Sequence, residues 1–141
     1  MLLVFAAIIP AFSQEKGKDH RAMRKEITEF KMKFLAQEMD LKEDQQKRFF
    51  DLYSQMSDEK ARLFRETRQL EKKLDSNASE AEYEAVSKAI TAAKEKEADI
   101  DRRYDAKFSE FLSSKQIFKM KSAEEKFRQK MHEMRHKKKK K

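Results

Sequence analysis

The chain has 141 residues with a single Gly (Gly17), a single Pro (Pro10) and no Cys. That leaves room for one domain, and excludes a disulfide framework, a thiolate nucleophile and a Gly-rich phosphate loop. The net charge is +8, but Arg135 and Lys137 to Lys141 supply six of those charges, so the rest of the chain carries only +2.

Residues 1–13 are apolar or small, and the first charge is Glu15. A bilayer span takes about 20 apolar residues, so this run is too short to be one. It has the character of the apolar region of a secretory signal, with Ala11-Phe12-Ser13 matching the small-x-small cleavage rule. Cleavage is expected after Ser13, although no Lys or Arg precedes the apolar run.

From Lys18 onward no Gly or Pro interrupts the chain, and good helix formers dominate. An all-α fold of about four helices follows, two of them long and central, arranged as a thin antiparallel bundle or a cradle-like dimer. The first apolar stripe is Met23, Ile27, Phe30 and Phe34, whose steps of three and four keep one helical face; that helix should end near Met39. The second stripe runs Phe49, Leu52, Met56, Leu63, Leu70, Leu74, with Lys60 and Thr67 filling two positions. Asp75-Ser76-Asn77 is expected to turn, and Ser79 with Glu82 has the spacing of a capping box. The third stripe is Tyr83, Val86, Ile90, Ala93, Glu97, Ile100, Tyr104, Phe108, Phe111, and the fourth is Ile117, Met120, Glu124, Phe127, Met131, Met134. Residues 14–134 thus form one helical domain, and residues 135–141 a disordered basic tail.

The helix junctions carry a repeated pattern, Leu41-Lys42-Glu43-Asp44-Gln45 and Leu112-Ser113-Ser114-Lys115-Gln116. At the second, Ser113 can cap the helix and Gln116 can reach back to it, while Leu112 and Ile117 staple the entry. At the first, Lys42 has no acceptor to offer a backbone N–H. Asp40 and Glu43 are expected to replace it as cap and box, moving the helix start by two residues.

Both pentapeptides resemble the L-T-x-x-Q motif found twice in the Spy/CpxP family of periplasmic proteins, with Leu41, Gln45, Leu112, Ser113 and Gln116 at the matching positions. The layout is similar too: a signal, about four helices, long middle helices and no Cys. The resemblance implies a periplasmic, curved, antiparallel homodimer that cradles unfolded or partly folded proteins without ATP. It implies envelope-stress roles as well, since relatives bind a sensor kinase or metal ions. The alternative function is therefore a stress or metal-responsive regulator docking on a sensor protein.

The residues favour binding over catalysis, and no enzyme is expected. Glu97 and Glu124 interrupt apolar stripes, but each is expected to pair with a base or lie at a frayed edge. His132 and His136 share a helical face and are candidate ligands for copper or nickel. They lack a clear third ligand and stand beside a Lys run, so no resident metal and no cofactor is expected. An exported chain seldom meets nucleic acid, and none is expected as a partner; Lys137, Lys138, Lys139, Lys140 and Lys141 suit anionic lipid headgroups better. Eleven Phe and eight Met suit a surface that accepts many partners. In helix 2 the doubled pairs Phe49/Phe50, Leu52/Tyr53 and Leu63/Phe64 widen the apolar face, either as a broad core face or toward a partner. The expected client contacts are Phe30, Phe34, Phe50, Tyr53, Met56 and Phe64.

Overall fold

The protein is all-α. The computed structural model describes residues 20–139 (backbone alone at 138 and 139), so the expected signal and its cleavage point lie outside the described residues, as do Lys140 and Lys141. Four helices follow in order: α1 His20–Glu38, α2 Glu43–Lys72, α3 Glu80–Phe108 and α4 Ser114–Lys139. At 30 and 29 residues, α2 and α3 are the long central pair, each about 45 Å at ~1.5 Å per residue.

The α2–α3 hairpin turns where Asp75 was expected to turn it. Asp75 Oδ1 accepts the Asn77 N–H at 2.8 Å, and its carbonyl accepts the Ala78 N–H at 3.1 Å. Ser79 Oγ then accepts the Glu82 N–H at 3.1 Å and starts α3, satisfying one of the donors that every helix start leaves open. Cross-hairpin pairs Arg48–Glu110, Lys60–Asp101 and Arg103–Glu59 hold the antiparallel register. These pairs are largely exposed, so they fix alignment more than they stabilise. Helix α1 packs antiparallel on α4 through Phe30 and Phe34, whose rings lie 6.0 and 5.9 Å from that of Phe127, and through Lys126–Glu38.

The core is concentrated at one end. Its buried residues are Leu35, Met39, Leu41, Phe49, Tyr53, Met56, Ile100, Tyr104, Phe108, Leu112, Met120, Ala123 and Phe127. All of them lie within a few turns of the two pentapeptide junctions. Phe49 is the hub, with ring centroids 5.4 Å from Tyr53 and 5.5 Å from Phe108; tilted aromatic contacts of this kind add to the stabilisation from burial itself. Beyond Met56 on α2 and before Ile100 on α3, no residue of the hairpin is buried. Two helices alone cannot close around a seam, and α1 and α4 cover only its near half.

Three expectations change. The buried member of the Leu52/Tyr53 pair is Tyr53, because the α2 core stripe runs Phe49, Tyr53, Met56 in steps of four and three. Asp40 does not cap α2. It takes a left-handed φ of 52° after α1, where the Leu41 N–H returns to the Ala36 carbonyl at 3.1 Å and closes the helix end. Helix α4 runs on through Lys139, so residues 135–139 of the expected tail are helical. Among the described residues, no helix is long and apolar enough to cross a membrane.

Candidate functional site

The two pentapeptides meet. Helix α2 begins at Glu43 with Lys42 in the N-cap position, and the Gln45 side-chain Oε1 accepts the Lys42 N–H at 3.0 Å. The reciprocal bond of a full box is missing for the reason expected: an ammonium has no acceptor. At α4 the box is complete, with Ser113 Oγ accepting the Gln116 N–H at 3.1 Å and Gln116 Oε1 accepting the Ser113 N–H at 3.0 Å. The two carboxamides then bond to each other. Gln116 Nε2 donates to Gln45 Oε1 at 2.9 Å, Gln45 Nε2 donates to Gln116 Oε1 at 3.3 Å, and Gln45 Nε2 also donates to the Phe111 carbonyl at 3.0 Å. Leu41 and Leu112 are buried beside them. This half-buried clasp ties the start of α2 to the start of α4 and sets the direction of all four helices.

A groove of about 540 Å³ opens farther out, where the core ends and the α2–α3 seam becomes uncovered. Tyr53 and Met56 form its floor, Leu63, Phe64, Ile90 and Ala93 its apolar walls, and Lys31, Lys60, Lys94, Glu71, Glu97 and Glu124 its charged margins. At the base the Tyr53 hydroxyl donates to Glu124 Oε2 at 3.0 Å. Burial, then the Glu124 charge and this hydrogen bond, push the Tyr53 pKa strongly up. Lys31 Nζ lies 5.5 Å from the Tyr53 ring centroid and 5.8 Å from that of Phe127. Desolvation pulls its pKa down and nearby Lys60 adds to the effect, against the opposing attraction of Glu124. Glu124 therefore meets a phenol and a partly desolvated lysine. Glu97, the other carboxylate on an apolar stripe, is exposed on the groove's margin.

The six expected client contacts separate. Tyr53 and Met56 are core residues, 1% and 3% exposed, so the sequence-based assignment of both as client contacts is corrected by their position on the buried stripe. Phe30 and Phe34 are half-buried against Phe127, and Phe50 is half-buried with its ring 5.9 Å from that of Phe49. Phe64 alone of the six is open, at 60%, and it lines the groove. Sequence reasoning missed Lys31, which no stripe marks. It also missed Phe118, 70% exposed on α4, although an apolar residue directly after a stripe position (Ile117) is a visible signal.

His132 and His136 are both exposed on α4, with ring centroids 4.6 Å apart and planes at 79°. Among the described residues no group of three or more His, Cys, Asp or Glu is placed to hold a metal ion. Glu133 between them completes His132-Glu133-Met134-Arg135-His136, an H-E-x-x-H spacing that stripe-reading passed over.

No family model matches the chain, and the curated proteins and solved structures offer no match either.

Proposed function

We propose that this protein is an ATP-independent holdase of the Spy/CpxP type, acting in the periplasm as a homodimer that covers exposed segments of unfolded or partly folded proteins. No bond is made or broken in this function. The observation that carries the proposal is the uncovered distal seam of the α2–α3 hairpin, with Phe64 60% exposed beside a groove of about 540 Å³. An apolar strip rimmed by Lys31, Lys60 and Lys94 on one hand and Glu71, Glu97 and Glu124 on the other suits weak, sequence-tolerant capture. Charges of both signs steer the first encounter, and the apolar walls hold without demanding one fixed shape. Segments with few polar requirements would bind there, and a short residence time would follow from the small area covered.

The test is the aggregation of a chemically denatured model client with and without the protein, at low and moderate salt. Suppression near equal stoichiometry, without ATP, is the expected result, with salt sensitivity reporting the share of the charged rim. No suppression at several-fold excess would sink the proposal and direct the search to docking on a single sensor protein.

A further inference from the structure

We propose that His132 and His136 form a two-imidazole chelating site for a divalent transition-metal ion of the copper or nickel class, closed across one turn of α4. The sequence alone places His136 in a disordered tail, where no fixed partner exists for His132. The helix instead continues through Lys139, so the two residues stand one turn apart on one face.

The ring separation fits chelation. Imidazole nitrogens bind such metals at about 2.0–2.1 Å, and each nitrogen lies about 1.2 Å from its ring centroid, which puts each centroid about 3.2 Å from the ion. Two imidazoles at about 90° around a metal then have centroids about 4.5 Å apart, and at a tetrahedral angle about 5.2 Å. The observed separation is 4.6 Å, which favours the tetragonal or octahedral geometry of copper and nickel over tetrahedral zinc. No hydrogen bond or ion pair engages either ring among the described residues, so a nitrogen of each is available to turn toward a common point.

The intervening Glu133 gives the segment the spacing used by zinc hydrolases, in which two helical His hold the metal and the Glu acts as base. Those centres need a third protein ligand. Here no group of three is placed to hold an ion among the described residues. The site is therefore a chelate whose remaining positions go to water, with the Glu133 carboxylate near. Arg135 and Lys137 stand close in sequence and oppose the approach of a cation. Because salt screens that repulsion over about 8–10 Å, affinity should rise with moderate salt. A site built on carboxylates would respond in the opposite direction. Chelation across one turn also ties His132 to His136 in the helical state, so the last turns of α4 should become better ordered.

The experiment is titration of the full chain with nickel chloride, followed by equilibrium dialysis, and by hydrogen exchange over α4. One ion per chain is expected, with at least a tenfold loss of affinity in both His132→Ala and His136→Ala, and with His20→Ala unchanged. Both rings are exposed, so circular dichroism should show the variants folded. Metal should slow exchange at the end of α4 in the wild type and in neither His132→Ala nor His136→Ala. No binding, binding that survives both substitutions, or binding lost only in His20→Ala would each overturn the proposal. The result is independent of client holding, because neither histidine lines the groove.

Discussion

Gln45 and Gln116 stand 71 positions apart in the chain and share two hydrogen bonds, of 2.9 and 3.3 Å, between their side-chain carboxamides. Each also accepts the backbone N–H of its own helix cap. Truncating either one therefore opens a helix start and leaves its partner short of hydrogen bonds. Gln45→Ala and Gln116→Ala should each cost about 1–3 kcal/mol, since a half-buried group left unsatisfied costs more than a bond gains. The double variant should cost less than the sum of the two, with a coupling of roughly 0.5 kcal/mol or more. Denaturant melts of the four proteins in this cycle would measure it, and strict additivity would show that the two caps act separately.

The incomplete box at Lys42 can be repaired. Ser at this position supplies the acceptor that the ammonium lacks, and the backbone is already extended there, at φ −73° and ψ 155°. Lys42→Ser should stabilise the fold by about 0.5–1 kcal/mol, read as a higher urea midpoint at unchanged slope. A midpoint that stays or falls would show that the carboxamide clasp had already met the needs of this helix start.

The aromatic residues of α2 should divide by exposure. Phe64→Ser removes a side chain that is 60% exposed, and should weaken client holding while moving stability by less than about 0.5 kcal/mol. Phe50→Ser, on a ring that packs against the core, should lower stability by about 1–3 kcal/mol. Tyr53→Phe keeps the packing but loses the bond to Glu124, at about 1.5–3 kcal/mol for a charged acceptor. A Phe64→Ser variant that melts early would place Phe64 in a buried contact and remove it from the groove's working surface.

Alkaline stability should follow two of the three tyrosines. Burial pushes Tyr104 up to about 12, helped by the Glu59 carboxyl as hydrogen-bond acceptor, and burial with Glu124 pushes Tyr53 up as well. Both phenols are neutral when protonated and ionise more readily in the unfolded chain, near 10. Their contribution is therefore fully present below pH 10 and is lost as pH rises from there through the folded values. Lys31, whose pKa is lowered, has the opposite sign: its desolvated ammonium weakens the fold until it loses its proton. The melting temperature should fall steeply above pH 10, together with the rise of tyrosinate absorbance. The Tyr53→Phe, Tyr104→Phe double variant should show a shallower fall from its own starting value. Parallel curves would assign the loss to general lysine deprotonation.

What the sequence determined was local. Helix content, the Asp75 turn, the Ser79 cap and the Ser113–Gln116 box depend on propensity and on hydrogen bonds between residues three or four apart, and all were legible. The stripe of α3 was legible for the same reason, since Ile100, Tyr104 and Phe108 repeat at one helical period. Periodicity narrows a buried face to an arc, however, and cannot choose within it: Leu52 and Tyr53 are 100° apart, and the packing of Phe49 against Phe108 chose Tyr53.

Tertiary structure alone decided the rest. Asp40 is a helix terminator because the chain must reverse after α1, and no spacing rule weighs that against its capacity as a cap. The two Gln side chains each looked like local cap partners; their pairing needed the junctions of α1–α2 and α3–α4 to arrive side by side. The groove exists because α1 and α4 cover only the near half of a hairpin about 45 Å long, a mismatch of lengths in space that appears in no single stripe. Lys31 became a groove residue in the same way: its surroundings come from Tyr53, Phe127, Glu124 and Lys60, four residues distant from it in sequence. Local interactions wrote the helices, and the limited area of apolar surface that four thin helices can cover decided which residues stayed open.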